Sequence, residues 1–201
     1  MDSKQAIKIL KTLALTAIIF AGLLVIFNYN YFWQNIRYDL YGVKQAAFPA
    51  APVPSAAGAH SYILAVPSLG ISAPVIYATA TGETAFQAAL KNGVAHYPGT
   101  ADPGQTGNCY IFGHSSDYIW SSGHYKNVFA ILPKIKKGAD IIISGRQNQY
   151  TYTVTDSRMV SPGDLSVLSQ QTGQKKILTL QTSYPIGTAL ARWIVVAEVS
   201  R

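Results

Sequence analysis

The stretch ILTLQTSYPIGTALARWIVVAEV, Ile177–Val199, decides how this chain reads. It divides into strand, loop and strand. Thr179, Gln181 and Ser183 alternate with Leu180 and Thr182, so Ser183 ends the first strand on the face opposite the leucines. The loop Tyr184–Leu190 carries Pro185 and Gly187, both turn formers. Arg192 opens the second strand and is the only charge between Lys176 and Glu198. A lone cation in so apolar a hairpin needs either an anionic partner or, as a rim residue, a set of loop carbonyls. Spacing alone does not choose between the two.

Working outward, the same pattern recurs. Tyr62–Val66, Pro74–Tyr77, Gly107–Gly113, Asp140–Ser144 and Gln149–Asp156 are short runs rich in β-branched and aromatic residues, and Lys176–Ser183 and Arg192–Val199 complete the set. Gly, Pro, Asn and Ser clusters separate them. Two helical segments interrupt. Glu83–Lys91 puts Phe86, Ala89 and Leu90 on one face and stops at Asn92-Gly93, and Tyr125–Leu132 ends at Pro133. Many short strands with few helices predict a mostly β domain, a barrel or a sandwich, over 61–201.

The N-terminal part is of another kind. From Thr12 to Ile36 no side chain is charged, and the apolar run from Ile7 to Phe27 meets the roughly 20 residues that span a bilayer core. Tyr29, Tyr31, Phe32 and Trp33 fall where an interfacial aromatic belt belongs. Lys4, Lys8 and Lys11 precede the run, while Arg37 and Asp39 cancel after it, which predicts a cytoplasmic N-terminus and an extracytoplasmic remainder. A cleaved signal peptide fits less well, because bulky Phe27, Tyr29 and Tyr31 follow where a small-x-small site would be. Residues 1–42 therefore read as cytoplasmic tip, single-pass anchor and interfacial segment. Residues 43–60, rich in Ala and Pro, read as an extended linker able to hold the domain some tens of Å from the membrane.

Composition removes several functions. The chain has 16 Lys+Arg against 9 Asp+Glu, but residues 43–201 hold 12 and 7, scattered apart from Lys134, Lys136 and Lys137. No basic stripe interleaves with aromatics, so nucleic acid is not an expected partner. One Cys excludes an internal disulfide and a thiolate metal site. None of His60, His96, His114 and His124 has metal-ligand spacing to another, and no metal or other cofactor is expected. Strand parity places Tyr110, Phe112 and His114 on one face and Cys109 and Ile111 on the other, which makes Cys109 a buried small hydrophobe rather than a nucleophile. His124 reads as exposed.

With these residues in view, the sequence resembles the sortases, the cell-wall transpeptidases. TLQTSYPIGTALAR is similar to their Thr-Leu-x-Thr-Cys segment with its loop and Arg, and FGHSS at Phe112–Ser116 to their Gly-His motif. LAVPSLGISAPV, GVAHYPGTADPGQTGN and VFAILPKIKKGADI follow the family's order, and the resemblance covers Tyr62 to Val199. The helix-poor form and GVAHYPGT lean toward classes D and E. The resemblance implies a closed eight-stranded β-barrel in which His114, position 183 and Arg192 converge. It implies cleavage of an LPXTG-like sorting signal of a surface protein or pilin between Thr and Gly. The acyl group then passes to an amine, from lipid II or a pilin Lys. On that likeness His114 is general acid/base and Arg192 stabilises the oxyanion or positions substrate. Thr182 and His96, the latter in a rim loop, are candidate substrate contacts. Asp156 and Asp164 are too few for a calcium site near the sixth and seventh strands.

The likeness breaks at the nucleophile, which is Ser183 where the family has Cys. A thiol with a pKa near 8.5 can be held as thiolate beside an imidazolium. A serine hydroxyl instead has to lose its proton to a base during attack, usually one oriented by a third group. Asp117, Asp156 and Asp164 are the candidates for that group. Ser183 is open to three readings: an engineered replacement of an original Cys, a natural non-catalytic peptide-binding or pilus-associated relative, or a natural serine transpeptidase. The intact motif around it, His114 and Arg192 included, favours the first.

Overall fold

The computed structural model describes residues 3–27, 29–41, 61–116 and 123–200. Two helices come first, α1 (Ser3–Phe27) and α2 (Tyr29–Tyr41). Ser3–Leu23 is long and apolar enough to cross a membrane, and none of it is buried against the rest of the chain. The expected linker, 43–60, lies outside the described residues.

The remainder is a barrel of β1 (Tyr62–Val66), β2 (Ile71–Tyr77), β3 (Val94–His96), β4 (Gly107–Phe112), β5 (Asp140–Ser144), β6 (Gln149–Val160), β7 (Lys176–Tyr184) and β8 (Ala191–Val199). Neighbours run β1-β2-β3-β4-β7-β8-β6-β5, and β5 pairs back onto β1 to close the ring. Among the described residues each strand of the ring has a neighbour on both sides, with β6 beyond Val154 pairing with β8 alone. Closure also settles the choice between barrel and sandwich that periodicity left open. The short helix α3 (Glu83–Leu90) packs Ala89 and Leu90 on the outside against Ala95, Ile76 and Phe112.

Alternation sorts the side chains. Leu64, Val66, Ala73, Val75, Cys109, Ile111, Ile141, Ile143, Leu178, Leu180, Val195 and Ala197 point inward and form one core. Burying an aliphatic side chain of this size contributes about 1.5–3 kcal/mol, so the inward rows hold the barrel together.

The structure departs from the expected elements in several places. β2 begins three residues earlier than the Pro74 signal suggested, and β6 runs on to Val160 through a register shift between Val154 and Asp156. β3 was missed because three residues show no period. Tyr125–Leu132 is not an α-helix. Its bonds are Val128 N–H to Tyr125 O, Ala130 N–H to Asn127 O and Leu132 N–H to Phe129 O, all three residues apart, ending in the 3-10 turn Leu132–Lys134. The tighter winding turns Phe129, Leu132 and Ile135 inward, each nearly or fully buried, so this segment plugs one end of the barrel.

Candidate active site

At the plugged end the C-terminal ends of β4 and β7 meet the start of β8. β4 and β7 are parallel with Phe112 opposite Gln181, and the Gly113 N–H continues the ladder to the Gln181 carbonyl at 3.0 Å. Continued two residues past β4, this register would direct His114 toward Ser183. Across the antiparallel β7–β8 pair, Ser183 is the partner of Arg192, and side chains in such pairs start about 4.5–5.5 Å apart. All three residues are half-buried. Three positions far apart in sequence thus form one row on the outer wall. A second row lies beneath, with Phe112, Gln181 and Ile194 in register.

The His114 segment is held from several sides. The Thr182 hydroxyl donates to the Gly113 carbonyl at 2.9 Å, the Phe129 N–H donates to the His114 carbonyl at 2.9 Å, and the Gly187 N–H donates to Ser116 Oγ at 2.9 Å. The last bond ties the strand-joining loop to the residues after His114. Gly113 is required by the plug crossing it: a Cβ there would sit 2.7 Å from Phe129 Cδ2.

Arg192 Nη1 donates to the carbonyls of Ala189 and Ala191, each at 3.1 Å. These are the loop-carbonyl bonds of a rim Arg, and among the described residues no carboxylate pairs with it. Its charge is still felt two rows below, at Tyr110. Burial pushes the Tyr110 phenol up, and Arg192 pulls it partway back. The Tyr110 hydroxyl donates to Gln181 Oε1, which fixes that amide two residues before Ser183. This pair escaped the sequence reading. Parity had put both residues on the outer face, but only the β4–β7 pairing brings them together.

Neither expected substrate contact sits where it was expected. Thr182 is 1% exposed, with its hydroxyl turned inward onto Gly113, so it holds the histidine-bearing backbone rather than facing a ligand. His96 is a strand residue of β3, not a rim-loop residue. It is 3% exposed, stacks on Tyr77 at 4.4 Å between centroids, and its Nε2 bonds the Ala101 carbonyl at 2.9 Å. Of the carboxylates that might orient His114, Asp117 lies outside the described residues. Asp156 pairs with Arg158, and Asp164 accepts from the Ser166 N–H at 3.0 Å and hydroxyl at 2.6 Å. Those bonds lower the Asp164 pKa. Among the described residues no group of three or more His, Cys, Asp or Glu is placed to hold a metal. His124 is exposed, as parity-free loop context predicted.

Cys109 is 1% exposed in the core, on the face opposite the site. Burial, with a smaller contribution from Asp102, pushes its thiol far above the ordinary range. It stays protonated and unreactive.

Comparison with known proteins bears on the domain and its fold. Residues 64–200 match the description "Sortase domain". Over 141 residues the chain is 26% identical to sortase D of Bacillus subtilis (strain 168), spanning 69% of this chain and 63% of that protein. It is 25% identical over 145 residues to sortase A of Streptococcus agalactiae serotype III (strain NEM316), spanning 69% and 52%. The chain thus spans less than two thirds of these two relatives' lengths. Among solved structures, sortase C-1 of Actinomyces oris superposes with a TM-score of 0.58 at 25% identity, covering 70% of this chain and 73% of that one. With the barrel closed and residues 64–200, two thirds of its length, matched, this chain belongs to the sortase family of transpeptidases.

Proposed function

We propose that this protein is a membrane-anchored, sortase-type transpeptidase site with serine at the nucleophile position. It would act on an LPXTG-like sorting signal of a surface protein or pilin, with a single-pass N-terminal anchor and the barrel outside the cell. The observation that carries the reading is the register that brings His114, Ser183 and Arg192 into one row on the outer wall. α1 supports the anchor by length and composition, and Lys4, Lys8 and Lys11 support the orientation.

In the forward step, Ser183 Oγ attacks the carbonyl carbon of the scissile Thr–Gly bond while the His114 imidazole takes its proton. The carbonyl oxygen gains the charge, and the Arg192 guanidinium, already at the rim, is the nearby cation to stabilise it. Collapse breaks the C–N bond. The leaving amine takes the proton from His114, and an ester joins Thr to Ser183. An acceptor amine, from a lipid-linked cell-wall precursor or a pilin Lys, attacks the ester, forms the new amide and returns the proton to Ser183. A thiol would do this better, because it can be ionised before attack and serine cannot.

That difference favours one second reading: the site binds a sorting-signal peptide and does not turn it over. One experiment separates the two. The full chain in detergent is mixed with an LPXTG-type peptide and an amine acceptor, alongside Ser183→Cys. Transfer or a peptide adduct by mass spectrometry in the Cys form, weaker or missing in the Ser form, supports a transpeptidase site slowed at its nucleophile. Activity of the Ser form that disappears in His114→Ala supports a serine mechanism. Peptide binding without an adduct in either form supports the binding module, and no binding in either overturns the proposal.

A further inference from the structure

The segment after the membrane helix does not project away from the barrel. In α2, the Asp39 carboxylate pairs with Lys134 Nζ at 2.7 Å, and the same ammonium lies 5.1 Å from the centre of the Tyr38 ring. Tyr38 is half-buried and packs against the barrel's core cluster. Lys134 ends the 3-10 turn of the plug. That plug bonds the His114 carbonyl through Phe129, and its turn touches β8, the strand that carries Arg192. The contact therefore falls on the segment that holds the His114 backbone. Lys136 and Lys137 follow, both exposed, so the docked edge is basic.

We propose that α2 is a docking element: it clamps the plug through Tyr38 and Asp39 and holds the catalytic end of the barrel at the bilayer surface. The occupant of the Lys134 surface is thus this chain's own juxtamembrane helix, and the site is presented to an amine borne by a membrane-linked acceptor. A single Lys serves two contacts at once, an ion pair on one side and a ring face on the other. The basic edge beside it fits an anionic headgroup layer. On this proposal the domain would lie nearer the bilayer than an extended linker allows. The docking stands apart from the reaction, whereas its use for a membrane-linked acceptor rests on the transpeptidase reading and on α1 as an anchor.

A zero-length carbodiimide tests the contact on the full chain, one copy per lipid nanodisc of anionic composition. The reagent activates Asp39, the Lys134 amine displaces it as the urea, and an amide forms with net loss of water. Lys175 and Glu198, 2.9 Å apart within the barrel, are the benchmark pair. The expected result is an Asp39–Lys134 cross-linked peptide at a yield similar to Lys175–Glu198. Lys134→Glu removes it, and Lys134→Glu combined with Asp39→Lys restores it. Coupling of the benchmark without coupling of Asp39 overturns the docking. In a Ser183→Cys background, Lys134→Glu is expected to lower transfer to a lipid-linked amine about two- to fivefold, with transfer to a soluble amine unchanged. Equal effects on both acceptors overturn the membrane-facing role. No transfer to either acceptor, with Lys134 intact, sinks the transpeptidase reading and leaves the cross-link to decide the docking.

Discussion

The two ends of the barrel carry similar chemical inventories and opposite environments. The far end holds a thiol, a histidine and a carboxylate: Cys109, His96 and Asp102. Around them stand Tyr62, Tyr77 and Tyr152, whose phenols are all pushed up by burial. The Tyr77 hydroxyl donates to Asp102 at 2.8 Å, and the Tyr152 hydroxyl accepts from the Gly104 N–H at 2.7 Å. The end proposed as catalytic holds Ser183 in a half-buried row with His114 and Arg192. A side-chain census alone would choose the other end. Desolvation decides against the Cys, because it removes the thiolate, and strand parity puts the serine where a ligand can reach it.

The largest expected effects come from exchanging what distinguishes the ends. Ser183→Cys gives the half-buried row on the outer wall the thiol that the buried cluster cannot use, and transfer to an amine acceptor should rise from its level in the chain as it stands. Within that background, His114→Ala is expected to lower kcat by about 10²–10⁴-fold, and Arg192→Ala by about 10²–10³-fold. His96→Gln should leave kcat unchanged. Steady-state kinetics on these variants break the comparison if His96 proves as costly to kcat as His114.

The far end should reveal itself in stability instead. The Cys109 thiol is raised in the folded chain. Below the unfolded value, near pH 8.5, both states are protonated and the thiol adds no pH dependence. Above it the unfolded chain releases the proton while the folded chain retains it, so stability falls by up to about 1.4 kcal/mol per pH unit. Denaturant titrations between pH 8 and 10 should show this slope, and Cys109→Ala should flatten it. Alkylation of Cys109 in the native protein should proceed only as fast as the barrel opens. Rapid labelling at neutral pH would place the thiol outside the core.

The difference between the ends was partly legible in the sequence. Parity correctly separated Cys109 and Ile111 from Tyr110, Phe112 and His114, because alternation is a local property of the backbone. The strand–loop–strand reading of Ile177–Val199 also matches β7 and β8, although the first strand runs one residue past Ser183, to Tyr184. What failed was non-local. His96 looked like a rim residue because Val94–His96 is too short to show a period, and only its pairing with β2 and β4 draws it inside. Thr182 looked like a substrate contact because it precedes Ser183. Its inward hydroxyl acquires a partner only when β4 ends alongside β7. The docking of α2 had no signal, since Asp39 and Lys134 are 95 residues apart.

Thr182 therefore provides the finest test of the comparison, because it joins the core to the catalytic row. Its hydroxyl is buried and makes one identified bond, to the Gly113 carbonyl. Thr182→Val keeps the shape and removes the donor, which should cost about 0.5–1.5 kcal/mol of stability. Were that all, kcat would be untouched at temperatures where the variant stays folded. Gly113, however, precedes His114 and cannot shift freely under Phe129, so a loosened carbonyl moves the imidazole relative to residue 183. In the Ser183→Cys background the expected outcome is a fall in kcat with KM nearly unchanged, and recovery in Thr182→Ser, which restores the donor. A rise in KM alone would instead return Thr182 to the substrate surface and put the boundary between core and site one residue further in.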